Sequence, residues 1–113
     1  MITAKFYQKP DRGTIYMTLK GHAGTAPKGQ DLVCSAATMM AYTVAQAVTF
    51  MHEQGKLTQK PKIYIREGMA MIIAAPTEDG YAEALHTFWV AQCGIHVLMH
   101  NYPEHVKLEY LRV

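Results

Sequence analysis

The sequence predicts an α+β domain of two layers, a mainly antiparallel sheet with two helices, in the order ββαββαβ. Three observations carry that prediction: period-two alternation at the start of the chain, two long stretches of helical periodicity, and turns rich in Gly and Pro between them. A chain of 113 residues fits one domain, 1–113, with enough length for a core of its own.

Ile2, Ala4 and Phe6 alternate with Thr3, Lys5 and Tyr7, the pattern of a half-buried strand. The turn that follows, KPDRG, has Pro10 to preset φ, Asp11 to bond nearby backbone and Gly13 to accept positive φ. Ile15, Met17 and Leu19 then alternate with Tyr16, Thr18 and Lys20, completing a hairpin that ends just before His22. GTAPKGQ, with Gly24, Pro27 and Gly29, reads as a mobile loop. Asp31 is an N-cap whose carboxylate can accept the amide of Val33 or Cys34. A helix follows from Leu32 to about Gln54, with Gly55 as its C-terminal stop. Ser35, Thr38, Tyr42, Gln46, Thr49 and Glu53 form its polar stripe; Val33, Ala37, Met40, Val44, Ala47 and Met51 form the expected buried one.

KIYIREGMAMIIAA reads as a second hairpin with Glu67-Gly68 at its turn and Ile63, Ile65, Met69, Met71 and Ile73 as apolar positions. Pro76 and Thr77 precede a second helix, with Glu78 and Asp79 in its first turn and Leu85, Phe88, Trp89, Ile95 and Met99 on its apolar side. Pro103 ends that helix, and HVKLEYLRV is the final strand.

Composition narrows the function classes. Half the residues are apolar and 18% are charged, as in a compact globule. A net charge of +2 from scattered Lys and Arg offers no phosphate-binding stripe, so no direct nucleic-acid partner is expected. No apolar run reaches 18 residues, and no signal peptide is evident; a cytoplasmic protein with no membrane partner is expected. Two cysteines 59 positions apart do not suggest a disulfide framework. His96 and His100 have the i, i+4 spacing of a metal pair, but no third ligand is evident beyond the neighbouring His86 and His105. Neither metal nor cofactor is expected. Cys93 reads as a structural thiol, and the eight methionines as adaptable core.

The chemistry concentrates in GHAGTAPKGQDLVC. Cys34 is the third residue of its helix, where unpaired amides and the helix dipole favour a thiolate. His22 closes the preceding strand. A strand end and a helix start are natural places for a base and a nucleophile to meet, and the loop between them permits the contact. Taken singly, His22 is better explained as a turn histidine and Cys34 as a core thiol.

Gly21, His22, Ala23, Gly29, Asp31, Val33 and Cys34 together resemble the motif of the ribosomal-processing cysteine protease family, Prp. That pattern is Gly-His-Ala, a short loop, Asp, a hydrophobic pair and Cys, then small residues. Ser35 stands where the family commonly has Ala, and Thr38 where it commonly has Ser, keeping a hydroxyl. The resemblance extends to the size, the element order and the Tyr-Pro near the end. It implies a cytoplasmic, homodimeric endopeptidase that trims a short Leu- and Phe-rich N-terminal extension from a bacterial large-subunit ribosomal protein, cutting after an aromatic residue.

Carried over, Cys34 is the nucleophile, His22 the general base and acid, and Asp31 a helix cap, a third catalytic member orienting His22, or both. Gly21, Ala23, Ser35 and Thr38 are the expected substrate-binding positions. Amides at the helix start, including that of Cys34, would stabilise the oxyanion, and the loop from Gly24 to Gln30 would order over the substrate. A different reading is a non-catalytic ribosome-assembly module binding a ribosomal protein or RNA; its RNA binding would be salt-dependent and would survive loss of the thiol.

Overall fold

In the computed structural model of the chain, residues 1–9, 13–22 and 31–112 are described, with side chains to 110. The elements follow the expected order: β1 Ile2–Lys9, β2 Thr14–Gly21, α1 Leu32–Glu53, β3 Lys62–Arg66, β4 Met69–Ala74, α2 Tyr81–Asn101 and β5 Val106–Arg112. They build one five-stranded sheet in the order β3-β4-β2-β1-β5. Every pairing is antiparallel except that of β1 with β5.

Register decides which side chains form the core. Phe6, Met17 and Ile72 stand abreast across three strands, and Ala4, Leu19 and Ala70 form the next row; all six are buried. Above them α1 contributes Val33, Ala37, Ala41, Val44, Ala45, Val48 and Met51, and α2 contributes Ala84, Phe88, Ala91 and Ile95. These residues form one continuous apolar cluster with the sheet, the two-layer arrangement that the patterning predicts. The helices approach closely at Gly94, where a β-carbon would stand 2.7 Å from the terminal methyl of Met40.

Several local expectations are corrected. In β4 the buried residues are Ala70, Ile72 and Ala74, while Met69, Met71 and Ile73 are half-buried. MAMIIA is apolar throughout, so alternation carries no phase there; pairing of Ile72 with Met17 supplies it. On the edge strand β3, Ile63 is exposed. In β2, the supposedly outward Thr18 is buried, because the strand has a neighbour on each side. Along α1 the core stripe takes Ala41, Ala45 and Val48, leaving Met40 and Ala47 half-buried.

The second helix starts later than expected, with Gly80 as N-cap. Glu78 and Asp79 therefore precede it, in a turn where Thr77 Oγ1 accepts the Gly80 amide at 3.1 Å. The acid of the first turn is Glu83, which pairs with Lys56 at 2.6 Å. Leu85 and Trp89 are 40% and 54% exposed, so neither belongs to the buried side. Cys93 is exposed too and is no core thiol. By length and composition α1 would suffice to cross a bilayer, contrary to the reading of interrupted apolar runs. Here its apolar stripe is part of the core instead, opposite the polar residues Gln46 and Glu53.

The face of the sheet away from the helices carries polar and aromatic pairs. Tyr7 stacks on Tyr16 with ring centroids 4.5 Å apart. Glu109 lies 3.1 Å from Lys107 and 3.6 Å from Lys5, and the Lys107 hydrogen bond foremost holds its carboxyl below the usual range.

The contrast within α2 is testable by denaturant unfolding. Phe88→Ala is expected to cost about 3–5 kcal/mol, and Trp89→Ala only a small fraction of that. Equal losses would return Trp89 to the core.

Candidate active site

Two local devices bring the chemistry of the Gly21–Cys34 segment together. The first is the end of β2. Gly21 has φ +98°, and a β-carbon on it would fall 2.2 Å from the Met1 carbonyl oxygen, so the position requires glycine. Its amide donates to the Gly68 carbonyl at 2.9 Å, tying the end of β2 to the β3–β4 turn. The Met1 nitrogen donates to the His22 carbonyl from the other side. His22 thus leaves the sheet from a backbone held on two sides, with its side chain exposed.

The second device is the start of α1. Asp31 is extended and buried, and one carboxylate oxygen accepts the amides of both Val33 and Cys34 at 3.0 Å. The Ser35 amide bonds the Asp31 carbonyl at 3.0 Å, beginning the helical ladder. This is the N-cap that the sequence predicts, satisfying two of the orphan donors at once. Val33 points into the core and Ser35 outward, which leaves Cys34 between them, half-buried and packed against core residues.

These devices border one open cleft of about 770 Å³. Of the residues singled out from sequence, Gly21, His22, Asp31, Cys34, Ser35 and Thr38 all line it. Ala23 lies outside the described residues, as does the loop from Gly24 to Gln30. The cleft continues over Leu19, Met39, Tyr42 and Ile65, an apolar floor that sequence reasoning had not joined to the motif. Tyr42 carried a signal, because with Ser35 and Thr38 it continues one stripe of α1. Gly68, where an added β-carbon would meet the tip of the His22 ring, carried no signal beyond that of a turn glycine.

The Cys34 amide, one of the expected oxyanion donors, already has an acceptor in the structure. That N–H is already donated to the Asp31 carboxylate, so the cap and an oxyanion would compete for it. Arg66, on the rim, keeps its guanidinium on its own strand: it donates to the Ile65 carbonyl at 3.2 Å and lies 5.0 Å from the Tyr64 ring centroid. Among the described residues no cluster of three His, Cys, Asp or Glu side chains could hold a metal ion, and His96 and His100 are exposed on α2.

A soft nucleophile at a helix N-terminus, an imidazole in the same cleft and an apolar floor suit nucleophilic attack on a carbonyl of an extended, apolar segment. Asp31→Ala is expected to lower stability by about 1–2 kcal/mol in denaturant unfolding, and Asp31→Asn far less, since the amide oxygen still accepts. Equal losses would assign the effect to charge and not to the cap.

Comparison with known proteins follows the same line. The family model described as cysteine protease Prp matches residues 1–107. No curated protein matches the chain. Among solved structures, the essential ribosomal processing protease Prp from S. aureus is similar with a covalently linked product peptide at TM-score 0.72 and 20% identity. With a substrate peptide the figures are 0.71 and 19%; in both cases 98% of this chain and all of the other are covered. SMU.848 from Streptococcus mutans is similar at TM-score 0.72 and 25% identity, over all of this chain and 96% of its own.

Proposed function

Because this chain belongs to the Prp family of cysteine proteases, we propose that it is an endopeptidase that removes the short N-terminal extension of a bacterial large-subunit ribosomal protein. The observation that carries this reading is the opening of Cys34 and His22 into one cleft, at a helix start and a strand end. The S. aureus relatives bound to substrate and product peptides support it through their shared fold. An apolar floor of Leu19, Met39, Tyr42 and Ile65 suits an extension rich in Leu and Phe.

In this mechanism His22 takes the Cys34 thiol proton and the sulfur adds to the scissile carbonyl. Negative charge then develops on the carbonyl oxygen beside the positive end of the α1 dipole. His22 returns the proton to the leaving amine as the C–N bond breaks. Water, deprotonated by His22, hydrolyses the thioester and restores the thiol. Asp31 holds the helix start that presents Cys34, the cap role that its two amide hydrogen bonds support. Gly21, Ser35 and Thr38 contact the substrate alongside the pair, and Ala23 follows His22 in the same role. The protein acts in the cytoplasm as a homodimer, without metal, cofactor or nucleic acid.

Cys34→Ala is expected to abolish cleavage of a peptide whose extension ends in Phe-Phe before Ala, with circular dichroism and Tm unchanged. Cleavage that survived the substitution would overturn the assignment. His22→Ala should reduce turnover by about 100-fold or more. Thr38→Ala should cost far less, and a loss as deep as that of Cys34→Ala would move Thr38 into the reacting group.

A further inference from the structure

The turn between β3 and β4 reaches across to His22. Gly68 occupies that turn with φ +75°. A β-carbon on it would stand 2.9 Å from His22 Nε2 and 3.3 Å from Cε1, nearer than nonbonded carbon and nitrogen atoms settle. The same residue's carbonyl accepts the Gly21 amide at 2.9 Å, so one turn fixes both the backbone before His22 and the space beside its ring. Gly55, at the end of α1, has the same φ of +75° but open space where its β-carbon would be. The turn conformation alone therefore leaves the His22 contact unexplained as a mere by-product of a positive φ.

We propose that Gly68 is a positioning residue: its bare α-carbon is the seat on which the His22 imidazole rests, and its carbonyl anchors the strand end from which that imidazole projects. This rests on His22 being the base for Cys34. A side chain at position 68 would push the ring tip away from the turn and change its angle to the thiol. Displacements of about 1 Å in such pairs cost on the order of 100-fold in rate.

The test compares Gly68→Asn with Gly55→Asn. Asparagine accepts positive φ better than other side chains, so both variants keep their turns, and only the first places a β-carbon against His22. Gly68→Asn is expected to lower kcat about 100-fold with KM within about two-fold, and Gly55→Asn to leave both near wild type. The rate of Cys34 alkylation by iodoacetamide, read by peptide mass because Cys93 is also exposed, should fall in Gly68→Asn to that of His22→Ala. Adding Gly68→Asn to His22→Ala should slow alkylation no further. Wild-type kcat in Gly68→Asn, or an effect that persists without His22, overturns the proposal. Should His22→Ala leave turnover and alkylation unchanged, the assignment of His22 itself falls, a result distinct from failure at Gly68.

Discussion

The arrangement depends on β2 having a hydrogen-bonded neighbour on each side. Its pairing with β1 sets Phe6 beside Met17, and its pairing with β4 sets Met17 beside Ile72, so the core rows are in step only in one register. A slip of one residue would send the buried row to the opposite face and is strongly disfavoured. The same two ladders fix where β2 stops. His22 is therefore placed by the packing of the whole sheet.

Asp31 plays the matching role on the helix side. Its buried carboxylate gathers the amides of Val33 and Cys34, which defines the first turn of α1 and with it the direction of the Cys34 side chain. The cap is bought at one cost: the Cys34 amide is a poorer candidate for an oxyanion donor while Asp31 holds it. The site thus pairs a histidine fixed by strands with a cysteine fixed by a cap, and Val33 and Ala37 seat the helix on the sheet beneath them.

Much of this was legible because the local signals agreed. Alternation in Ile2, Ala4 and Phe6, the cap at Asp31 and the stop at Gly55 each have a short-range physical cause, and the structure follows them. The phase of β4 was not legible, since MAMIIA is apolar on both faces and only pairing with β2 selects one. Leu85 and Trp89 misled for the opposite reason: their size suggested burial, yet the buried stripe of α2 is Ala84, Phe88, Ala91 and Ile95, and Leu85 and Trp89 lie off it. At the cleft, Cys34, His22 and Asp31 could be read from a contiguous motif. Gly68 could not, because it lies 46 positions beyond His22 and meets it only through the fold.

The parallel pairing of β1 with β5 has a kinetic consequence. Ile2 lies opposite Val106, so forming that ladder means closing nearly the whole chain into a loop, the contact with the greatest entropic cost of search. β2, α1, β3 and β4, which surround the cleft, are all complete by Ala74. During vectorial synthesis the parts of the cleft therefore emerge well before the strand that covers the other edge of β1. Until that strand arrives β1 remains an open edge, and Val106 is missing from the core. β5, remote from Cys34 in sequence, joins after the other four strands of the sheet on which the cleft rests.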